Sequence, residues 1–188
     1  MNQESEPLEI FFQNFNKIHS NYKFWLNASN DNQALVNVLT LHLMCENFLE
    51  AYICSRLNIS DLFDENISKK NGKETFRLQF NQKLKFSLRL GLPMEAYEFF
   101  EKLNSLRNKF AHNLNTGSID QSLIDSLTGL VNRMEPTTIV FDVEKEAVQI
   151  FDENENIAKC YIFNNINTPN TIRLAILYSF LIRKLIKK

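Results

Sequence analysis

Apolar residues recur along this chain at two periods, and the change from one to the other divides it. From about Pro7 to Trp25, large side chains fall at helical spacing (Ile10, Phe11, Phe15, Ile18, Tyr22) and predict a first helix. A polar break over Asn27 to Asn32 follows, with Asp31 placed to cap the next helix. That second helix, about Gln33 to Leu57, carries Leu35, Val38, Leu39, Leu41, Leu43, Phe48, Leu49, Tyr52 and Ile53 around most of its circumference, so it should be central and buried. A loop over 58–73 ends in the polar tract Ser68 to Lys73, which includes the turn glycine Gly72. A third helix, about Glu74 to Leu90, has the stripe Phe76, Phe80, Leu84, Leu88. Gly91 suits its C-terminal cap and Pro93 the start of a fourth helix, about Met94 to Asn113. A fifth, about Ile119 to Met134, stops before Pro136.

Beyond Pro136 the pattern becomes β-like. Thr138 to Val143, Val148 to Phe151 and Lys159 to Phe163 are β-branched and aromatic runs of strand length, separated by the polar stretches Glu144–Glu146 and Asp152–Asn156. They predict a small antiparallel β-meander. A last helix, about Thr171 to Ile186, ends in Arg183, Lys184, Lys187 and Lys188, cations that suit a helix C-terminus and are expected to be solvated there. The fold class is therefore mainly α: a helical domain over 1–134, and an appendage over 135–188 (meander plus helix) packed on it.

Composition narrows the function classes. Hydrophobic residues make up 44% of the 188, and Phe occurs 16 times against 4 Gly and 4 Pro, which favours long helices over a turn-rich β fold. A formal net charge of -1 gives no global basic field, so any nucleic-acid contact must use a local patch. The N-terminus is polar and acidic, unlike a signal peptide, and no apolar run approaches the roughly 20 residues of a membrane span. A cytoplasmic protein without membrane attachment is expected. Cys45, Cys54 and Cys160 form no CxxC pair and no Cys/His cluster, so they read as small apolar fillers, and neither zinc nor any other cofactor is expected. There is no Walker loop and no metal triad.

The fourth helix carries the candidate chemistry. On a wheel at about 100° per residue, Phe99, Leu103, Leu106, Phe110 and Leu114 share a core-facing side. Glu101, Asn104, Asn108 and His112 form a second, polar row, and Arg107 lies between the two, roughly 140° from His112. Such a helix has a second interface to fill.

The run Leu106-Arg107-Asn108-Lys109-Phe110-Ala111-His112-Asn113 resembles the R-x4–6-H signature of HEPN domains. Its flanks agree: His42 to Glu50 resembles the acidic and aromatic long helix of these domains, and Phe80 to Leu92 the segment before the motif in mannitol-repressor-like and Abi-like HEPN proteins. The similarity covers roughly residues 33–134 and says nothing of the rest. It implies an antiparallel helical bundle that cleaves RNA, such as tRNA, without metal and leaves a 2′,3′-cyclic phosphate. Arg107 would hold phosphate charge and His112 would move protons, with Asn108, Asn104 and Glu46 in support, the last by pairing with Arg107. One imidazole cannot easily be acid and base together, so a two-fold homodimer would supply the second. HEPN toxins and anti-phage proteins are held inactive by a partner or antitoxin. A non-enzymatic regulator resembling the mannitol repressor and working by protein contacts is the main alternative; an antitoxin-like or assembly subunit is the third. His42 is expected to be a partly buried structural histidine, and His19 is assigned no role.

Overall fold

Breaker and capping residues set where each helix stops. In the computed structural model of the chain, residues 5–19, 34–63, 77–112, 118–135, 138–151 and 156–186 are described. Among them the fold is mainly α, with helices α1 (Ser5–His19), α2 (Ala34–Leu57), α3 (Phe80–Arg89), α4 (Met94–His112), α5 (Gln121–Arg133) and α6 (Asn170–Ile186), and strands β1 (Ala147–Phe151) and β2 (Ile157–Ile162). The expected cap Asp31, the Ser68 to Lys73 tract, Phe76, Leu114, Lys187 and Lys188 lie outside the described residues, as does the end of the first expected helix. No described helix is long and apolar enough to cross a membrane.

α2 ends where Asn58 takes φ 57, the left-handed conformation asparagine tolerates, and Ile59 N–H reaches back to Cys54 C=O at 3.0 Å. α3 starts later than its apolar stripe suggests, at Phe80, because Gln82 Oε1 accepts from Gln79 N–H at 2.8 Å and closes the first turn there. It ends as expected at Gly91, whose φ of 94 lets Leu92 N–H bond Ser87 C=O at 3.0 Å.

The chain forms two compact units: residues 1–21 with 42–104, and residues 22–41 with 105–188. The first unit is built on aromatic packing. Phe11 stacks on Phe15 at 5.2 Å, and both meet the edge of Phe48, which lies 5.5 Å from Phe100. Buried polar groups join its segments: Asn47 donates to Asn14 C=O, and Ser55 Oγ to Pro7 C=O at 2.7 Å. α3 is fixed to α2 by charge. Lys83, 5% exposed, places Nζ 2.6 Å from both Glu46 Oε1 and Glu50 Oε1.

In the second unit α5 packs Ile124, Leu127, Leu130 and Val131 inward, and α6 is buried over most of its length. The expected meander is corrected to a two-stranded antiparallel hairpin, β1 with β2, in the register Ala147↔Ile162. Thr138 to Val143 forms no strand. Phe141 is anchored edge-on to Phe163 and Phe180, each at 4.9 Å, and Asp142 at once begins a turn in which its C=O accepts from Lys145 and Glu146. A segment pinned by one ring and then turned has no ladder to join. A second correction concerns Lys184. It is not solvated but 1% exposed, with Nζ donating to Val131 C=O (3.0 Å) and Met134 C=O (2.6 Å). Its stem runs along the core to reach the C-terminal carbonyls of α5. Arg173 ties the unit's corners, donating to Phe163 C=O, Asn165 C=O, Gln121 Oε1 and Asn170 Oδ1.

Candidate functional site

The wheel of α4 describes both of its faces. Phe99, Leu103, Leu106 and Phe110 are buried, while Glu101, Asn108 and His112 are exposed, with Asn104 and Arg107 in between. In the second unit the last turns of α4 therefore present Arg107, Asn108 and His112 outward. Arg107 Nη1 donates to Asn108 Oδ1 at 3.1 Å, so the guanidinium is held sideways along the helix. Its other donors enter no hydrogen bond among the described residues, which leaves them available to an anion. Lys109 points elsewhere and pairs with Asp120, at the start of α5, at 3.0 Å.

The first unit holds the other candidates. His42 is buried, as expected, with its ring 4.3 Å from that of Phe80. Its Nε2 lies 3.0 Å from Asn104 Oδ1, and Asn104 Nδ2 donates to Asn81 Oδ1 at 2.9 Å. With the amide nitrogen committed to Asn81, the oxygen faces His42, so Nε2 is the donating nitrogen. Asn104 is thereby fixed by two neighbours. Glu46 is held by Lys83, whose ammonium also lies 5.5 Å from the Phe63 ring centre. Burial pulls the Lys83 pKa down, but Glu46 and Glu50 outweigh it and the net shift is upward.

Sequence reasoning missed two polar features of the second unit. One is the Arg173 junction. The other is an open cavity of about 470 Å³ lined by Ala34, Ser118, Ile119 and residues 166–171. Neither has a motif, because each is assembled from residues far apart in the chain. Among the described residues no three His, Cys, Asp or Glu side chains come together as a metal-binding set. Cys45 and Cys54 are buried and Cys160 is exposed, and burial pushes the Cys45 thiol well up.

Comparison of the chain with models of known families, with curated proteins and with solved structures returns no match.

Proposed function

We propose that this chain is a HEPN-type endoribonuclease that cleaves RNA without metal, working as a homodimer restrained by a partner protein. The observation that carries this reading is the group of half-exposed Arg107 with exposed Asn108 and His112, on a helix whose opposite face, Phe99, Leu103, Leu106 and Phe110, is buried. The motif resemblance around it supplies the reaction. A ribose 2′-oxygen attacks the adjacent phosphorus, the 5′-oxygen leaves, and a 2′,3′-cyclic phosphate remains. Arg107 grips two phosphate oxygens as charge builds on the phosphorane. His112 of one copy takes the 2′-hydroxyl proton, and the imidazole of the second copy returns a proton to the leaving oxygen. Asn108 turns the guanidinium, and Asn104 extends the polar row one turn back.

The competing reading is a non-catalytic regulator acting by protein contacts. It is favoured by one fact: among the described residues no hydrogen bond orients the His112 imidazole, as it commonly is in a proton-transfer site. Cleavage of total tRNA by wild type, Arg107→Ala, Arg107→Lys and His112→Ala separates the two. Each substitution should lower cleavage by orders of magnitude, because an ammonium cannot reproduce the planar two-pronged grip and an alanine moves no protons. Both sites are off the core stripe, so melting temperature should change little. EDTA should leave the rate unchanged. A wild type that does not cut, tested with its neutralising partner removed, establishes the regulator.

A further inference from the structure

In the first unit a chain of hydrogen bonds runs in one direction, from core to surface. It begins at His42 on α2, 8% exposed, whose Nε2 donates to Asn104 Oδ1 at 3.0 Å. Asn104, half-buried on α4, donates from Nδ2 to Asn81 Oδ1 at 2.9 Å. Asn81 is exposed on α3, and its Nδ2 enters no hydrogen bond among the described residues. Each amide oxygen is committed to the donor before it, so neither amide can turn over without stranding that donor. The chain therefore ends at the surface in N–H groups, two on Asn81 and the second one on Asn104. Amides linked head to tail polarise one another, and here the positive end faces out. Lys85, exposed and one helical turn from Asn81 on α3, enters no ion pair among the described residues.

We infer that Asn81, Asn104 and Lys85 hold a phosphodiester of the RNA strand, and that His42 is the positioning residue that fixes their amide donors. The charge balance selects this ligand. Two neutral amides and one lysine present donors and a single positive charge, which match the single negative charge of a phosphodiester. A dianion is disfavoured by Glu101, three residues before Asn104 on α4, which is exposed and accepts from Tyr97 Oη at 3.4 Å. Asn104 lies about two turns before His112 on α4, so the phosphate it takes is not the one being cut. The contact orders the strand and carries no base information. It rests on the reading of the chain as a ribonuclease.

The test is binding of a labelled single-stranded RNA oligonucleotide to the full chain carrying His112→Ala, followed by fluorescence anisotropy at several salt concentrations. Asn81→Asp keeps the oxygen that accepts from Asn104 but replaces the outward N–H groups with an acceptor. It should weaken binding about tenfold or more. Gln82→Glu adds the same charge at the neighbouring exposed position and suits the helix start, so its effect should be much smaller. Lys85→Ala should reduce the slope of log affinity against log salt by about 0.7, the share of one phosphate contact on a single strand. Asn81→Ala should weaken binding with that slope unchanged. His42→Gln, whose amide N–H can stand in for Nε2–H, should bind as the parent does, whereas His42→Leu should lose about as much as Asn81→Asp; melting curves of both check the fold. Equal losses in Asn81→Asp and Gln82→Glu, an unaltered slope in Lys85→Ala, or equal affinities in folded His42→Leu and His42→Gln would each overturn this inference and leave the ribonuclease reading standing. A chain that binds no RNA overturns both.

Discussion

Among the described residues each of the two units buries one lysine, and they solve the same problem in opposite ways. In the first, Lys83 meets two carboxylates at 2.6 Å, so the buried charge is over-compensated. In the second, Lys184 meets two carbonyl oxygens, those of Val131 and Met134, at the C-terminal end of α5. There the partial negative charge of a helix end replaces a full one. Each ammonium also lies within 6 Å of a phenyl ring, Phe63 for Lys83 (5.5 Å) and Phe180 for Lys184 (5.7 Å). The consequence is visible in the pKa directions. Burial lowers that of Lys184 below the ordinary lysine value, whereas the carboxylates of Glu46 and Glu50 reverse the effect of burial on Lys83 and raise it. A buried cation needs donors' partners in both cases, but only the carboxylates make its charge favourable.

The comparison breaks most sharply on substitution. Lys83→Met strands two carboxylates that solvent only partly reaches, and should cost about 2–3 kcal/mol, or roughly 6 °C in melting temperature. Lys184→Met strands two carbonyls but removes an unfavourable charge, and should cost about 1–2 kcal/mol. Urea unfolding of both variants beside wild type measures the pair. Equal losses would mean that carbonyls hold a lysine as well as carboxylates do.

Raising the pH should separate the two by sign. The folded Lys83 pKa lies above the ordinary 10.5, so the clamp stabilises fully below 10.5 and its contribution is lost as pH climbs through the raised value. The folded Lys184 pKa lies below 10.5, so the folded protein sheds that proton first and gains stability as pH rises from the lowered value to 10.5. Stability followed from neutral pH upward should show the late loss vanish in Lys83→Met and the earlier gain vanish in Lys184→Met. The smallest effect is expected from Glu46→Gln. The triad of Lys83, Glu46 and Glu50 carries a surplus negative charge, the amide oxygen still accepts, and stability should move by no more than about 0.5 kcal/mol. A loss as large as that of Lys83→Met would show that both carboxylates are required.

These two lysines also mark where sequence reading stops. Lys184 follows a run of apolar residues, yet its charge argued for solvent, and Lys83, beside Phe80 and Leu84 on a buried stripe, drew no expectation at all. Their partners are more than 30 residues away in the chain, so no local pattern could announce them. The same holds for Glu46. Its place on the central helix was legible, but its pairing with Lys83 depended on α3 packing beside it. The candidate site on α4 is the opposite case. Asn108 and His112 share an exposed face, with half-exposed Arg107 between it and the core, because helical geometry is local, and the apolar period of Phe99, Leu103, Leu106 and Phe110 declares the face that is buried.

What the sequence by itself determined is therefore what depends on neighbours within a few residues: the six helices of the described residues, their stops at Asn58 and Gly91, the strand-like pairing of residues near 148–151 and 159–162, and the two faces of α4. Tertiary structure alone decided which polar groups meet. It set Glu46 and Glu50 on Lys83, turned Asn104 between His42 and Asn81, carried Lys184 to the end of α5, and withheld Thr138 to Val143 from the sheet by anchoring Phe141. The physical reason is one of range. Backbone conformation and amphipathic period are set by adjacent residues, whereas a buried charge or a ladder partner must be matched by whatever distant segment the packing brings within about 3 Å.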